Sequence, residues 1–214
     1  REGNRTSAER WAGLLGQQGH RVEIHTEYDG DPCDLMIALH AWRSADAIRR
    51  YRDLHPEGPL IVALGGTDVN TFLSREPKTI LAAMDAADAL VCLHDRIGEA
   101  LPQRFLAKLH VIYQSATPSA RARKPLKRFF DVCVVGHLRD EKDPLRTARA
   151  AQLLPVTSRI RITHLGKAHT AAWASAAERE QHENPRYRWK GGVSAATVQQ
   201  TYARSQLMVL SNGC

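Results

Sequence analysis

The sequence predicts an α/β protein made of two Rossmann-like, doubly wound units. Short apolar runs alternate with longer amphipathic segments through both halves of the 214-residue chain, the pattern of parallel strands covered by helices. Glycines stand directly after several of those runs, at Gly65-Gly66, Gly136, Gly166 and Gly191-Gly192, where a strand gives way to a loop. Between the halves lies a stretch of linker composition with Pro118, Pro125 and a basic run from Arg121 to Arg128. The expected boundaries are 1–117 for the first unit, 118–128 for the linker and 129–214 for the second.

In the first half, Trp11, Leu14 and Leu15 mark one face of a helix over 6–18, which Gly19 ends. Strands follow at 21–26 and at 34–39, the latter apolar through Leu35-Met36-Ile37-Ala38-Leu39. Ser44 caps a helix running to about residue 55. Further strands are expected at 59–64, 88–93 and 109–113, with helices at 78–86 and 95–101. Gly3-Asn4-Arg5 leads straight into the first helix. A doubly wound unit places its central strand before such a glycine-bearing loop, so the first strand is expected to be missing and the chain to be incomplete at both ends.

The second half repeats the alternation. Val132-Cys133-Val134-Val135 is an unbroken apolar run, read as a buried parallel strand over 130–135. Asp143 as N-cap and Pro144 at the first helical position open a helix over 144–153. Strands at 159–165, 187–190 and 207–210 alternate with helices at 171–180 and 195–203.

Net charge is +7 and the isoelectric point is near 9.5. The densest basic run contains a proline and no aromatic residue before Phe129. It therefore reads as a solvated linker rather than a nucleic-acid surface, and the excess charge fits small anionic ligands such as phosphates. The four cysteines have no Cys-x-x-Cys spacing, and the ten histidines include no His-Glu-x-x-His pattern. The expectation is a reduced cytoplasmic protein without a metal site, and no apolar run is long enough to span a membrane.

Candidate chemistry gathers at the expected carboxyl ends of the strands. There lie His40, Thr67-Asp68, His94, Gln114-Ser115, and His137 with Arg139. Ligands of such sheets bind outside these ends, and two such units are expected to face a cleft. Each residue also has a local reading: His40 and His94 as hydrogen-bonding caps, Thr67-Asp68 as a plain helix start. The richest segment is Gly136-His137-Leu138-Arg139-Asp140-Glu141-Lys142-Asp143-Pro144, which directs cations and backbone N–H groups at one spot above the sheet edge, as a phosphate requires. No Gly-x-Gly-x-x-Gly loop and no P-loop is present, which disfavours a dinucleotide oxidoreductase.

Those residues resemble the nucleotide-sugar domain of GT-B glycosyltransferases of the family 4 kind. There the first strand ends in Gly-Arg-Leu-x-x-Glu-Lys-Gly, and its Arg and Lys hold the donor diphosphate. Gly136, Leu138, Glu141 and Lys142 match; His137 replaces the Arg and Asp143 the last Gly, with Arg139 placed to supply the lost charge. His164-Leu165-Gly166 and the turn at Gly191 resemble the family's later strand–glycine turns, which implies nucleotide binding by Gly166 and Gly191. Gly3-Asn4-Arg5-Thr6, Ala38-Leu39-His40-Ala41, Gly66-Thr67-Asp68, Val111-Ile112-Tyr113-Gln114-Ser115, the Gly136–Pro144 loop and Asn184-Pro185-Arg186-Tyr187-Arg188-Trp189 together resemble selenosugar synthases of selenoneine biosynthesis. Gly65 stands where that family has Thr, and its Glu-x7-Glu stretch is not found.

The resemblance implies an enzyme that moves N-acetylglucosamine from its UDP-sugar to selenophosphate, with no cofactor and no metal. Gly136, His137, Arg139 and Lys142 would hold the donor diphosphate, and Gly3, Asn4 and Arg5 the acceptor. Thr67 would donate to the acceptor phosphate and His40 would act as acid or base. Asp68 would steady a cationic sugar or cap its helix. A GT-B enzyme acting on a hydroxyl, or a non-catalytic nucleotide-binding module, would carry the same donor loop.

Overall fold

A computed structural model describes residues 2–116, 119, 122–125 and 127–211. The chain divides into two compact units after Ala116.

The first unit is built on four parallel strands in chain order: β1 (Met36–Leu39), β2 (Leu60–Ala63), β3 (Ala89–Cys92) and β4 (Leu109–Val111). Met36 lies opposite Leu60, Ile61 opposite Ala89, and Leu90 opposite Leu109. The connections carry α2 (Ala45–Leu54), a π-helical turn (Asp68–Phe72) running into the short α3 (Leu73–Arg75), α4 (Pro77–Ala86), α5 (Ile97–Ala100) and a 3-10 turn (Gln103–Lys108). Leu60, Val62 and Leu90 from the strands pack with Ile48 and Tyr51 of α2, Ile80 and Met84 of α4, and Phe105. Each large side chain so buried contributes about 1.5–3 kcal/mol. Arg52 at the end of α2 ties the layers together, donating to the carbonyls of Gly58 (2.8 Å) and Ala86 (2.5 Å) and pairing with Asp88 (3.0 Å).

Two expectations for this unit are corrected. The first helix, α1 (Glu2–Gln17), begins earlier than residue 6, so Gly3-Asn4-Arg5 lies inside it rather than in a loop before it. It ends as expected, with Gly19 at φ +91 and the Gly19 N–H bonded to Gly16 O. Residues 21–26 form no strand. Their alternation is sound, but the sheet's outer strand on that side is β1 and nothing pairs with the segment; Val22 and Ile24 are exposed. The Ser44 cap is also used differently: its hydroxyl donates to Leu39 O (2.9 Å), tying the start of α2 to the end of β1.

The second unit is a parallel sheet of β5 (Phe130–Val135), β6 (Ile160–Leu165), β7 (Tyr187–Trp189) and β8 (Leu207–Val209), in the order β7-β6-β5-β8. The chain steps outward from β5 through β6 to β7, then returns to pair β8 with the other side of β5. Strand order therefore reverses at β5. The helices are α6 (Arg146–Gln152), α7 (Ala171–Glu183) and α8 (Ala195–Arg204). Thr170 and Ser194 cap the latter two through Trp173 N and Thr197 N. Val132, Val134, Leu138, Ala148, Ile162 and Tyr187 form the core.

The opening of α6 differs from expectation. Asp140–Lys142 makes a 3-10 turn, Asp143 follows in the left-handed region at φ 38, and the helix starts at Arg146. Asp143 caps nothing at that position; its carboxylate pairs with Arg146. Of the expected linker, residues 118, 120, 121 and 126 lie outside the described residues. Arg123 and Lys124 are exposed, as a solvated linker requires, yet they are anchored: the Arg123 guanidinium donates to Gln206 O and the Lys124 backbone N–H to Ala203 O.

Candidate functional site

In the second unit the carboxyl ends of β5, β6 and β7 are laced together around three glycines. Gly136 N donates to Leu165 O (2.9 Å) and Gly166 N to Gly191 O (2.8 Å). A Cβ built on Gly166 would stand 1.9 Å from the carbonyl oxygen of Gly136, and Gly166 sits at φ +155, so both the contact and the backbone require glycine. Gly191, at φ +63, is likewise in a conformation that favours glycine. Gly136 itself has open space where a side chain would be. Gly166 and Gly191 therefore have structural reasons to be glycine, independent of the nucleotide-binding role the resemblance implies.

Beneath this row lies a buried pair, His164 and Tyr187, whose residues belong to motifs read in sequence but whose contact was not expected. His164, 1% exposed, meets the Tyr187 hydroxyl through Nδ1 (2.9 Å) and Gly136 O through Nε2 (3.1 Å). A carbonyl only accepts, so Nε2 carries the hydrogen and the Tyr187 hydroxyl donates to Nδ1. Burial pushes the His164 pKa below its usual value, and burial pushes the Tyr187 hydroxyl up. The ring is thus a neutral prop that sets the direction of the Gly136 carbonyl. The strand that carries it also holds Arg161 and Thr163, so a polar residue at position 164 gives no distinctive signal in sequence.

A pocket opens where strand order reverses. Gly136, His137, Lys142, Pro144, His164 and Ser211 contribute to its lining. His137 Nδ1 accepts from the Lys167 amide (3.1 Å), which places the hydrogen of the neutral ring on Nε2. The Ser211 hydroxyl lies 2.9 Å from Lys142 O and 3.0 Å from Asp143 O, so the loop that carries Lys142 is latched to a residue two positions past the end of β8. The structure places Arg139 elsewhere. Its guanidinium stands 3.8 Å from Glu141, and the residue is not among those lining the pocket. The expected backbone donors are also engaged: Lys142 N bonds Arg139 O and Asp143 N bonds Asp140 O within the 3-10 turn. A negatively charged ligand here would be met by side chains, Lys142 and His137, rather than by the start of α6.

In the first unit, three predicted residues do come together. His40, at the end of β1, and Thr67-Asp68, in the loop after β2, form a continuous relay. Asp68 Oδ1 lies 2.6 Å from His40 Nδ1, and His40 Nε2 lies 2.7 Å from Thr67 Oγ1. Asp68 is wholly buried. Its Oδ1 also accepts from Trp42 N (2.9 Å), and its Oδ2 from Ala41 N (2.9 Å) and Gly65 N (2.8 Å). With four donors on two oxygens and no exposed surface, Asp68 has a local structural role in this arrangement: it orients His40 and ties two loops together. The carboxylate only accepts, so His40 Nδ1 carries a hydrogen, and the Arg43 amide at 3.4 Å faces a nitrogen already in use. His40 is 6% exposed with φ 76, a rare conformation for a side chain of this size. The ring meets Phe72 edge-on (5.9 Å), and Phe72 stacks on Trp42 (4.1 Å, 4°).

The remaining predicted residues stand apart from this relay. Arg5 pairs with Glu9 one turn along α1 (2.8 Å) and its side chain is 81% exposed; no hydrogen bond joins Asn4 or Arg5 to the relay. Gly3 lies in the first turn of the same helix. Ser115 accepts from Arg10 (2.8 Å), and His94 is exposed.

Scans against protein-family models and against curated protein sequences return no match. The fold, in contrast, is shared with solved glycosyltransferases. A lipopolysaccharide outer core galactosyltransferase, WaaB, superposes with a TM-score of 0.59 at 16% identity, over 84% of this chain and 50% of its own. HepE of Anabaena in complex with UDP-glucose superposes with a TM-score of 0.61 at 13% identity, over 95% of this chain and 64% of its own. A UDP-forming α,α-trehalose-phosphate synthase from Burkholderia xenovorans superposes with a TM-score of 0.63 at 13% identity, over 99% and 57%. At these identities the likeness establishes the fold: two Rossmann-like α/β units of the GT-B kind. The chain spans about half to two thirds of the length of those structures.

Proposed function

We propose that this chain is part of a glycosyltransferase that takes its sugar from a UDP-sugar, the second unit holding the donor diphosphate. The observation that carries this reading is the pocket at the strand-order reversal beside β5, where Lys142 and His137 are among the lining residues together with Gly136. The matched folds add support, since HepE was solved with UDP-glucose and the Burkholderia enzyme is UDP-forming.

The chemistry asks for what this pocket offers. As the anomeric C–O bond breaks, negative charge builds on the departing diphosphate and positive charge on the sugar. The Lys142 ammonium supplies a fixed positive charge to the leaving group, and His137 supplies an Nε2 donor whose tautomer the Lys167 amide sets. Ser211 holds the Lys142 loop in place, so little reorganisation is needed as charge develops.

The finer reading is transfer of N-acetylglucosamine to selenophosphate, forming a carbon–selenium bond. It rests on the sequence resemblance and on the His40–Thr67 pair, an exposed hydroxyl on a buried imidazole that suits an anionic acceptor. A selenium nucleophile needs little deprotonation, so the site requires an anion-holding group more than a strong base. The test is UDP release from UDP-N-acetylglucosamine by the full-length protein, with selenophosphate, with a sugar hydroxyl acceptor, and with neither. Release that depends on selenophosphate supports the finer reading. Release with the hydroxyl acceptor alone retains the glycosyltransferase and rejects selenium. UDP binding without release in any arm leaves a nucleotide-binding module.

A further inference from the structure

We propose that Thr67 and His40 form a subsite for a tetrahedral oxyanion in the first unit, and that filling it takes up one proton on His40. The proposal deepens the acceptor side of the reading above and rests on it for the identity of the natural ligand.

The Asp68 carboxylate holds the hydrogen of His40 on Nδ1 at 2.6 Å. In the neutral ring Nε2 then has only a lone pair, and the Thr67 hydroxyl 2.7 Å away must donate to it. Thr67 is exposed, so in this state it presents oxygen lone pairs outward and repels an oxyanion. When Nε2 gains a proton the bond reverses. Nε2–H donates to Thr67 Oγ1, and the hydroxyl hydrogen is released to point outward as a donor. The same protonation puts a positive charge directly behind that hydroxyl. Anion and proton therefore favour each other's binding by equal factors.

The surroundings suit such coupling. The groups against the ring are the Asp68 carboxylate and Thr67 hydroxyl from the loop after β2, the Gly65 backbone of that loop, the Phe72 ring from the π-helical turn, and the Arg43 amide from the turn before α2. Asp68 is the charged group in contact, and its four hydrogen bonds keep it fixed as a carboxylate acceptor. Holding a histidine at φ 76 beneath one exposed hydroxyl is a costly arrangement for a merely structural cap. No bond is made or broken in the step beyond the transfer of one proton from solvent to His40.

Sulfate is the probe, because it is tetrahedral and does not itself titrate in the neutral range. The His40 ring signals are followed by NMR across pH in the full-length protein, with and without sulfate at constant ionic strength, and are assigned by their loss in His40→Gln. Sulfate is expected to raise the His40 titration midpoint by about half a pH unit or more, which corresponds to ~3-fold tighter sulfate binding by the protonated form. Thr67→Ser should keep the effect and Thr67→Val should abolish it. A midpoint that sulfate does not move, or a shift that survives in Thr67→Val, overturns the proposal. UDP binding is measured on the same samples. UDP bound with His40 indifferent to sulfate sinks this proposal alone, whereas a sulfate-linked His40 in a protein blind to UDP sinks the glycosyltransferase reading alone.

Discussion

Tyr187 donates its hydroxyl to Nδ1 of His164, and through that ring it fixes the carbonyl of Gly136 two strands away. A residue on β7 thus sets the backbone geometry of the pocket on β5, with no side chain of its own exposed there. Removing the hydroxyl in Tyr187→Phe leaves a buried acceptor unpaired and should cost about 1–3 kcal/mol, read as a lowered urea midpoint at unchanged m-value. UDP affinity should fall as well, because the Gly136 carbonyl loses its support.

The same pair makes stability fall on the acid side. The folded-state pKa of His164 is held below the unfolded value by burial, so the unfolded chain binds the proton more readily. The contribution is fully present above the unfolded value of about 6.5 and is lost as pH falls from there toward the folded pKa. In His164→Gln the slope of unfolding free energy against pH should be shallower over that window. Equal slopes in the two proteins would show that His164 does not titrate with unfolding.

Two of the strand-end glycines, Gly166 and Gly136, should respond differently to the same change. Gly166→Ala drives a Cβ into the Gly136 carbonyl at a φ unsuited to alanine, and should destabilise by about 3 kcal/mol or more. Gly136→Ala meets nothing within 4 Å and should melt within a few degrees of the parent. Thermal unfolding of both variants decides the matter.

Lys142 and Arg139, only three residues apart, should differ sharply. Lys142→Ala should cut sugar transfer about a hundredfold and weaken UDP binding, since it removes a charge at the leaving group. Arg139→Ala, which removes a half-buried side chain whose Nε lies 3.8 Å from Glu141 and outside the pocket lining, should change either by no more than about twofold. A large loss in Arg139→Ala would show that its guanidinium swings to the ligand.

Asp68→Ala should be costly even with no substrate present. It strips acceptors from the buried amides of Ala41, Trp42 and Gly65 and from His40, and should lower stability by about 3 kcal/mol or more in denaturant titration. Asp68→Asn keeps an acceptor oxygen and should lose less.

The regular parts of this fold are legible in sequence for clear reasons. Within Phe130–Val135, the run Val132-Cys133-Val134-Val135 stands out because an unbroken apolar stretch can be satisfied only by burial on both faces of a sheet. Residues 21–26 mislead because alternation reports a strand's own pattern and not whether a partner lies beside it. Asp143-Pro144 misleads because the pair fits a helix start by residue type alone, whereas here the chain spends a 3-10 turn and a left-handed residue before α6 begins at Arg146. At the site, the residue types at the strand ends are readable, but their pairing is not. His40 and Asp68 are 28 positions apart, and only the parallel register of β1 on β2 brings them within hydrogen-bonding distance. The burial of His164 and the turning away of Arg139 depend on packing in three dimensions, for which one-dimensional spacing has no signature.

The latch between Ser211 and the loop at Lys142 and Asp143 has a temporal consequence. Synthesis proceeds from the amino end, so the lysine leaves the ribosome 69 residues before the serine that secures it. Until that serine emerges, the turn that carries Lys142 lacks this latch, and the donor loop of the proposed reading gains its full anchoring only once the chain beyond β8 has been made.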